Sequence, residues 1–284
     1  MDKLRRSERI VLLTKDLIEN PYKSFPLAYF AELFQAAKSS ISEDISLVKD
    51  TLRASGAGLI ETQVGAAGGV KFKPVMGKVE REQFANLLCT KLSGSERIVP
   101  GGFIYLTDII FDPQIAQKIG RIFATLFAET NPDYILTIET KGIPLALFTA
   151  RAFGVPLVIV RDESKVSEGS SVSINYVSGS TRRIQTMALT RRALPKGCRV
   201  LIIDDFMKAG GTAKGMLDLM VEFEAEVLGI GVLISTTEPR QKLVDHYISL
   251  LELAHLDEDN KKLQLKPSAG ITQTFPWEVD NPES

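Results

Sequence analysis

The stretch VLIIDDFMKAGGT, residues 200–212, decides the fold of the larger part of the chain. Its four apolar residues run directly into two adjacent carboxylates, Asp204 and Asp205, and a glycine pair follows at Gly210 and Gly211. A short, uninterrupted apolar run is typical of a strand in a parallel sheet that is covered on both faces. Ligands bind beyond the carboxyl ends of such strands. The stretch therefore predicts a buried parallel strand with a polar site at its end.

The turn after the two carboxylates has the composition of an anion site. It would wrap from the strand into the next helix through Lys208, Ala209, Gly210, Gly211 and Thr212. Backbone N–H groups of a glycine-rich turn at a helix N-terminus bind phosphate, and carboxylates accept hydrogen bonds from hydroxyls. A sugar phosphate with vicinal hydroxyls satisfies both halves of the motif. The alternative is an acidic turn that only faces solvent.

The chain around this stretch alternates between apolar strands and helices. The expected strands lie at 134–140, 155–164, 199–206 and 227–236. The expected helices lie at 76–94, 112–128, 143–154 and 212–225. This alternation predicts an α/β fold with a parallel sheet. Because parallel strands end at the same edge of a sheet, we expect residues 140–142, 161–163 and 204–212 to lie together.

The first 75 residues predict three short helices and a hairpin. These elements are expected at 5–19, 27–34, 39–56 and, for the hairpin, 58–74. Ser39 or Ser40 would cap the third helix, and Glu43 or Asp44 would complete a capping box. The hairpin alternates around a Gly-Ala-Ala-Gly-Gly tip. Three helices followed by a hairpin predict a winged helix-turn-helix, which would place the third helix in a DNA groove.

A DNA surface on this unit would combine arginines at its start with the first turn of the third helix and the wing. The residues expected to contact DNA are Arg5, Arg6, Lys38, Ser39, Ser40, Ser42 and Lys71. Residues 1–75 hold 11 Lys and Arg against 9 Asp and Glu, which is a small positive excess for a DNA-binding unit. The alternative is a helical cap used for dimerisation, packing or protein docking.

Composition sets the outer limits. A chain of 284 residues with 44% hydrophobic content can bury two cores. The net charge of −1 excludes a uniformly basic nucleic-acid coat. Cys89 and Cys198 match no metal or disulfide spacing, His246 and His255 have no partner at ligand spacing, and no metal site is expected. Because no long apolar run or signal peptide is present, we expect a cytoplasmic protein without a membrane segment.

The motifs together resemble a known family. VLIIDDFMKAGGT resembles the motif that binds phosphoribosyl pyrophosphate (PRPP) in type I phosphoribosyltransferases. The ordered set also resembles the bacterial purine operon repressor family, which fuses a winged helix to a phosphoribosyltransferase domain. The resemblance covers roughly residues 3–265. Its motifs are AKSSISEDI at 37–45, GAAGGVK at 65–71, PGGFIYLTDI at 100–109, TKGIPLA at 140–146, EGSSVSINYVSGS at 168–180 and DDFMKAGGT at 204–212.

The resemblance implies an α/β chain in which a winged helix-turn-helix domain at 1–75 precedes a phosphoribosyltransferase-like domain at 76–266 and a tail at 267–284. It implies a homodimer that binds double-stranded DNA at purine gene control regions, responds to PRPP and has no catalytic residues. The implied PRPP contacts are Thr140, Lys141, Gly142, Arg161, Asp204, Asp205, Phe206, Lys208, Ala209, Gly210, Gly211 and Thr212. Magnesium would accompany PRPP without dedicated protein ligands. Whether the regulator represses or activates is left open.

Two positions depart from the related patterns. Phosphoribosyltransferases carry small or hydroxyl residues where Lys208 stands, and no base-selecting hood is evident, so sensing is favoured over catalysis. The alternative is an active purine phosphoribosyltransferase with a helical extension. Family members carry tyrosine where this sequence has Phe103. Guanosine tetraphosphate is associated with the family, and Phe103 and Phe206 would be platforms for its base; either ring could instead belong to the core.

Two segments allow more than one interpretation. Residues 166–192 are rich in Ser and Gly and carry four arginines. The resemblance implies an arm near the PRPP site with positive surface for DNA, whereas the alternative is a solvated loop. The tail after Lys266 shows no periodicity. We expect it to be disordered or to pack as an extended arm on a partner subunit.

Overall fold

The computed structural model describes residues 4–63, 68–101, 103–163, 169–177 and 184–279. The N-terminal part contains three helices and an antiparallel hairpin, as predicted. Their bounds are α1 Arg6–Glu19, α2 Leu27–Leu33, α3 Lys38–Ala54, β1 Leu59–Gln63 and β2 Gly69–Lys73. Most of the predicted glycine tip of the hairpin lies outside the described residues. An isolated bridge between Phe25 and Val70 adds a third short strand segment to the hairpin. The arrangement is that of a winged helix.

The start of α3 differs from the prediction. The helix begins at Lys38 with Ala37 as its N-cap, and no side chain caps it. Asp44 is buried and binds arginines of α1: its carboxylate lies 3.0 Å from Arg6 Nε and 2.9 Å from Arg9 Nη2. The predicted capping box is therefore wrong, because a long-range ion pair takes Asp44 away from the helix end. That ion pair holds α1 against α3.

The larger part of the chain alternates helices and strands around one six-stranded sheet. Its helices are α4 Lys78–Leu92, α5 Thr107–Ile110, α6 Pro113–Leu126, α7 Ile143–Phe153, α8 Gly211–Glu222 and α9 Pro276–Val279. Its strands are β3 Ile98–Val99, β4 Phe103–Ile104, β5 Tyr134–Ile138, β6 Leu157–Val160, β7 Ser171–Val177, β8 Ile184–Thr190, β9 Arg199–Met207, β10 Glu226–Thr236, β11 Ile248–Asp257 and β12 Lys262–Pro267.

The sheet has the strand order β12-β11-β10-β9-β5-β6, and all neighbours are parallel except β11 and β12. The parallel sheet was predicted, whereas the antiparallel edge hairpin of β11 and β12 was not. The chain passes from β5 outward to β6 and returns on the other side of β5 to β9. That reversal is a topological switch point, where open α/β sheets bind ligands. Two apolar clusters cover the two faces of the sheet.

The segment that follows β6 forms a hairpin that the sequence interpretation missed. Strands β7 and β8 pair antiparallel from Ser171 opposite Thr190 to Val177 opposite Ile184. The hairpin packs on α8 at Gly215, where a side-chain methyl would lie 2.6 Å from the Met187 methyl. Residues 164–168 and 178–183, with two of the arginines considered for DNA, lie outside the described residues.

The described part of the tail, residues 267–279, folds back onto its own chain, unlike the disordered or partner-bound arm that was expected, and residues 280–284 lie outside the described residues. Arg81 of α4 is fully buried and donates hydrogen bonds to the carbonyls of Met76, Ile271 and Gln273. Its guanidinium also lies 2.8 Å from the Glu278 carboxylate. The expectation failed because the buried Arg81 and the burial of Ile271 and Phe275 in the main core hold residues 271–278, and none of these contacts shows as a periodic pattern in the sequence. Within the described ranges, no helix is both long and apolar enough to cross a membrane.

Candidate ligand site and DNA-binding surface

The site begins where β5 and β9 separate. The two strands pair only as far as Leu136 opposite Ile202, and β9 continues without a partner on that side through Asp204 to Met207. Gly142, the N-cap of α7, lies in the opening. A methyl group on this glycine would come within 2.9 Å of an Asp204 carboxylate oxygen, so only glycine fits there without a shift. The split in the sheet therefore places the start of α7 directly against the first aspartate.

A cavity of about 430 Å³ opens at this point. Its wall contains segments from the ends of β5, β6 and β9, as predicted from the sheet rule. The predicted site residues on the wall are Phe103, Thr140, Lys141, Asp204, Asp205, Phe206, Lys208, Ala209, Gly210, Gly211 and Thr212. Gly142 lies just behind the wall through its contact with Asp204. The cavity is large enough for a sugar phosphate.

Carboxylates dominate the floor of the cavity. Burial, and then the neighbouring Asp205, raise the pKa of Asp204 well above its usual value. Burial also raises the pKa of Asp205, and a hydrogen bond with Asp204 and then the charge of Lys141 oppose that rise. The backbone N–H of Asp205 donates to the Asp204 carboxylate at 2.9 Å. Asp204, which is buried, and Asp205, which is partly buried, therefore place their carboxyl oxygens side by side next to Lys141.

The turn after β9 joins the strand to α8, as predicted, and phosphate binding by it stays a prediction. Gly210 has a φ of +82°, which favours glycine, and α8 begins at Gly211 instead of the predicted Thr212. Backbone N–H groups of residues 210–212 at the start of α8 are therefore placed to bind an anion. Lys208 is exposed on the rim, and Thr212 lines the wall. A phosphate group suits this combination of amides, hydroxyl and ammonium.

Lys242 is a residue that sequence reasoning missed. Its ammonium donates to the carbonyl of Lys208 and, at 3.0 Å, to the hydroxyl of Thr236. The N–H of Leu243 donates to the carbonyl of Ala209 at 2.9 Å. Burial lowers the pKa of Lys242. The segment thus braces the outer side of the anion turn, and no local motif around Lys242 signalled that long-range contact.

The hairpin β7–β8 supplies two more unpredicted residues to the wall, Tyr176 and Gln185. The Tyr176 hydroxyl donates to the Gln185 amide oxygen at 3.1 Å. Burial raises the pKa of Tyr176, the carboxylate of Asp162 adds to the rise, and a hydrogen bond with Thr212 opposes it. The alternation of Val172, Ile174 and Tyr176 was the signal for a strand. The arm thus closes one side of the cavity.

Arg161 lies beside the cavity rather than on its wall. Its guanidinium is 3.1 Å from the Glu139 carboxylate, which also accepts from the N–H of Asp162 at 2.8 Å. Arg161 exchanges backbone hydrogen bonds with Ala188 of β8. It therefore joins the end of β6 to the arm. A direct ligand contact by Arg161 remains a prediction.

Phe103 and Phe206 stand on the same wall and also border a second cavity of about 450 Å³. Phe103 is 49% exposed, whereas Phe206 is partly buried against the main core. The core alternative therefore does not hold for Phe103. Stacking of a base on either ring stays a prediction.

The DNA residues predicted on α3 are accessible. Lys38, Ser39 and Ser42 are exposed in the first turn of the helix, and Ser40 is partly exposed. Because no side chain caps this helix, the serine hydroxyls are not consumed by its N-terminus. This is the arrangement in which a recognition helix presents its first turn to DNA.

The remaining predicted DNA residues differ in availability. Arg5 is exposed at the start of α1, and Arg6 is exposed while bound to Asp44. Lys71 is mostly covered, and its ammonium lies 3.0 Å from the Glu61 carboxylate on the facing strand. A Lys71 contact to DNA would require that ion pair to open. Across the described part of the chain, no group of three or more His, Cys, Asp or Glu is placed to hold a metal ion.

A winged helix joined to a phosphoribosyltransferase-type sheet defines the class of phosphoribosyltransferase-fold transcription regulators. Two family models match: "Bacterial purine repressor, N-terminal" over residues 5–74 and "Phosphoribosyl transferase domain" over residues 107–266. The chain belongs to the bacterial purine repressor family. The resemblance stated from the sequence is thereby confirmed, as is the fold class.

Curated relatives include a "Purine biosynthesis transcriptional repressor" of Bacillus subtilis, 50% identical over 93% of this chain and 93% of that protein. They also include a "Purine biosynthesis transcriptional activator" of Lactococcus lactis, 39% identical over 93% of this chain and 97% of that protein. A xanthine phosphoribosyltransferase of Lactococcus lactis is 34% identical over 53% of this chain and 79% of that protein.

Among solved structures, an adenine phosphoribosyltransferase from Thermoanaerobacter pseudethanolicus aligns with a TM-score of 0.52 and 23% identity. The alignment covers 58% of this chain and 98% of the adenine phosphoribosyltransferase chain. An adenine phosphoribosyltransferase from Rhodothermus marinus gives the same TM-score over 60% of this chain. At this identity the likeness shows the fold of the larger domain and nothing about its ligand.

Proposed function

We propose that the protein is a PRPP-responsive transcription regulator of purine biosynthesis and salvage genes. One observation carries the proposal: the carboxyl pair of Asp204 and Asp205 adjoins the glycine turn at residues 208–212, in a chain whose third helix has an exposed first turn without a side-chain cap. The printed names of the relatives, a repressor and an activator of purine biosynthesis, support the regulatory part. The winged helix would bind double-stranded DNA at purine gene control regions, which places the working protein in the cytoplasm.

In the proposed ligand site, Asp204 and Asp205 accept hydrogen bonds from the ribose hydroxyls. The turn at residues 208–212 holds the 5′-phosphate through backbone N–H groups and Thr212. Residues 140–142, with the Lys141 ammonium, face the pyrophosphate. Phe206 covers the sugar from the end of β9.

Magnesium would enter with the ligand. The cavity wall holds the carboxylates of Glu139, Asp162, Asp204 and Asp205 against the ammonium groups of Lys141 and Lys208. A multiply charged pyrophosphate meets this acidic wall more favourably when a divalent cation shields it. Guanosine tetraphosphate, with its own phosphates and a base for Phe103 and Phe206, is a second ligand that fits the same chemistry.

We propose that the site senses and does not catalyse, and that two copies act as a homodimer on paired DNA half-sites. The alternative is a purine phosphoribosyltransferase, and the match to the xanthine enzyme over 155 residues favours that chemistry. Regulation is preferred because relatives named as regulators match 93% of the chain, including the winged helix.

Fluorescence anisotropy of a labelled purine-operon promoter fragment tests the function. At fixed salt, PRPP with magnesium should alter DNA binding or promoter-dependent transcription. Asp205→Asn should weaken that response, while Asp218→Asn on the exposed face of α8 should preserve it. Release of DNA on addition of PRPP would identify a repressor. DNA that stays bound while PRPP increases transcription would identify an activator. Absence of DNA binding at low salt contradicts the proposal, and pyrophosphate release with a purine base would establish the enzyme instead.

A further inference from the structure

Helix α7 connects the ligand site to the winged helix. It runs from Ile143 to Phe153, which is about 16 Å at the usual rise per residue. Its first end lies at the cavity, and its last residues lie against the turn between α1 and α2. A single rigid element therefore touches both functional parts of the chain.

The contact at the ligand end leaves no free space. A methyl group on Gly142 would lie 2.3 Å from Thr137 Oγ1 and 2.9 Å from an Asp204 carboxylate oxygen. The preceding residues, Thr140 and Lys141, line the cavity. A ligand that reorders the Asp204 carboxylate or this loop therefore acts on the first turn of α7 directly, because packed interiors transmit small displacements.

The contact at the other end is equally close. The ring of Phe153 lies 5.1 Å from the ring of Tyr22, measured between centroids. Gly154 has a φ of +67°, and a methyl group there would lie 2.5 Å from the carbonyl oxygen of Pro21. Pro21 and Tyr22 form the turn that sets the direction of α2 relative to α1. A shift of the C-terminal end of α7 would therefore displace the turn between α1 and α2.

Tyr22 also reaches the wing. Its N–H donates to the carbonyl of Phe72 on β2 at 2.9 Å, and the Lys73 ammonium lies 5.9 Å from its ring centroid. Lys73 in turn pairs with Glu61 of β1. The Tyr22 hydroxyl is buried without a hydrogen-bond partner among the described residues, so packing of the ring holds the side chain in place.

A second attachment between the two parts does not involve the ligand cavity. The Arg121 guanidinium of α6 donates to the carbonyls of Gly56, Ala57 and Val75. No residue of α6 lines the cavity. The Arg121 attachment therefore has no residue at the cavity, whereas α7 is the attachment whose other end meets the cavity.

We infer that α7 transmits ligand occupancy from the Asp204 site to the winged helix, with Phe153 and Tyr22 as the positioning residues at its junction. The inference rests on the proposed ligand site. Occupancy of the cavity shifts the start of α7, and the Phe153–Tyr22 contact passes the shift to the α1–α2 turn and to β2. Such coupling travels through contiguous packed elements.

Hydrogen–deuterium exchange of the full-length protein, with and without PRPP and magnesium, tests the inference. In the wild-type protein, PRPP should slow exchange at residues 204–212 and change exchange at residues 20–25 and 69–73. Phe153→Leu should keep the first effect and reduce the second by about fivefold or more, the lower range of allosteric coupling. Tyr22→Phe keeps the ring and should retain both effects. Phe127→Leu is the matched core substitution at the C-cap of α6 and should also retain both.

The two ways of failing are distinct. Protection at 204–212 without any change at 20–25 and 69–73, or a full change in Phe153→Leu, overturns the role of α7 and leaves PRPP binding intact. Absence of protection at 204–212 in the wild-type protein overturns the proposed function and the inference with it. If Phe153→Leu does not fold, Tyr22→Leu removes the other ring of the same contact. It must then give the same reduced change in exchange at residues 20–25 and 69–73.

Discussion

Gly142 lies against the carboxylate of Asp204, so close that a methyl group on the glycine would be 2.9 Å from the carboxylate oxygen. This contact exists because β5 stops pairing with β9 two residues before Asp204, which leaves room for the start of α7. It ties the acceptor half of the site to the helix that leaves it. The geometry of the ligand site and the position of α7 are therefore not independent.

Gly142→Ala should weaken PRPP binding and destabilise the protein. The added methyl must displace Thr137 Oγ1 and Asp204, and overpacking of this kind costs about 1–3 kcal/mol. Isothermal titration calorimetry measures the affinity for PRPP, and thermal denaturation measures the stability. Gly77→Ala is the control, because a methyl at that helix N-cap meets nothing within 4 Å. Equal affinity and stability of Gly142→Ala and wild type would disprove the close contact.

Asp204→Asn should stabilise the ligand-free protein at neutral pH. Burial and Asp205 raise the pKa of Asp204 in the folded state, so ionisation costs more there than in the unfolded chain. Asp204 therefore contributes no penalty to the folding stability of the wild-type protein below its unfolded-state pKa of about 4. The wild-type protein loses stability as the pH rises from there toward the higher pKa of Asp204 in the folded state. The difference in free energy of unfolding between variant and wild type should therefore grow from about pH 4 to 7.

The size expected at pH 7 is about 1–3 kcal/mol, the usual cost of an uncompensated buried polar group. Urea denaturation at several pH values gives the difference directly. Asp218→Asn, on an exposed face and bound to Lys214, should show no such growth with pH. A wild-type protein that is more stable than Asp204→Asn at pH 7 would show that the carboxylate is compensated in the folded state.

Lys242→Met should reduce affinity for PRPP by about fivefold, equivalent to one lost hydrogen bond of about 1 kcal/mol. The reason is indirect: the methionine keeps the length of the side chain and removes the donor that holds the Lys208 carbonyl. Calorimetric titration measures the change. Lys196→Met, which loses only a surface ion pair with Glu224, should bind as wild type. Unchanged affinity in Lys242→Met would exclude the bracing role.

Much of the ligand site could be predicted from the sequence because its signal is local. The apolar run, the acid pair and the glycine turn follow one another within 13 residues, and strand polarity brought residues 140–142 to the same edge. Lys242, Tyr176 and the Arg81–Glu278 pair could not be found in this way. Their roles depend on partners distant in sequence, and no spacing rule connects such residues.

The start of α3 illustrates the same limit. Serines before an apolar stripe usually predict a cap. Here the N-cap is Ala37, two residues before Ser39, and Asp44 forms an ion pair with α1 that only the tertiary fold creates. The prediction of the winged helix held because it rested on the order of elements rather than on their ends.

Lys38→Ala should weaken DNA binding at low salt and reduce the salt dependence of affinity. One lost phosphate contact lowers the slope of log affinity against log salt by about 0.9. Fluorescence anisotropy titrations of labelled DNA at several salt concentrations, from about 50 to about 200 mM, give the slope. Lys91→Ala, exposed on α4, is the charge-matched control. An unchanged slope would remove Lys38 from the DNA surface.

Direct titration of PRPP with magnesium into the purified protein tests the central claim, that the cradle at residues 208–212 binds the ligand's phosphate. We expect saturable binding of PRPP by the wild-type protein and by the control variant Thr90→Val. The hydroxyl that this variant removes lies on the remote helix α4. Thr212→Val, which keeps shape and removes one donor to a charged group, should bind about tenfold more weakly. No binding by the wild-type protein, or equal binding by Thr212→Val, would contradict the claim.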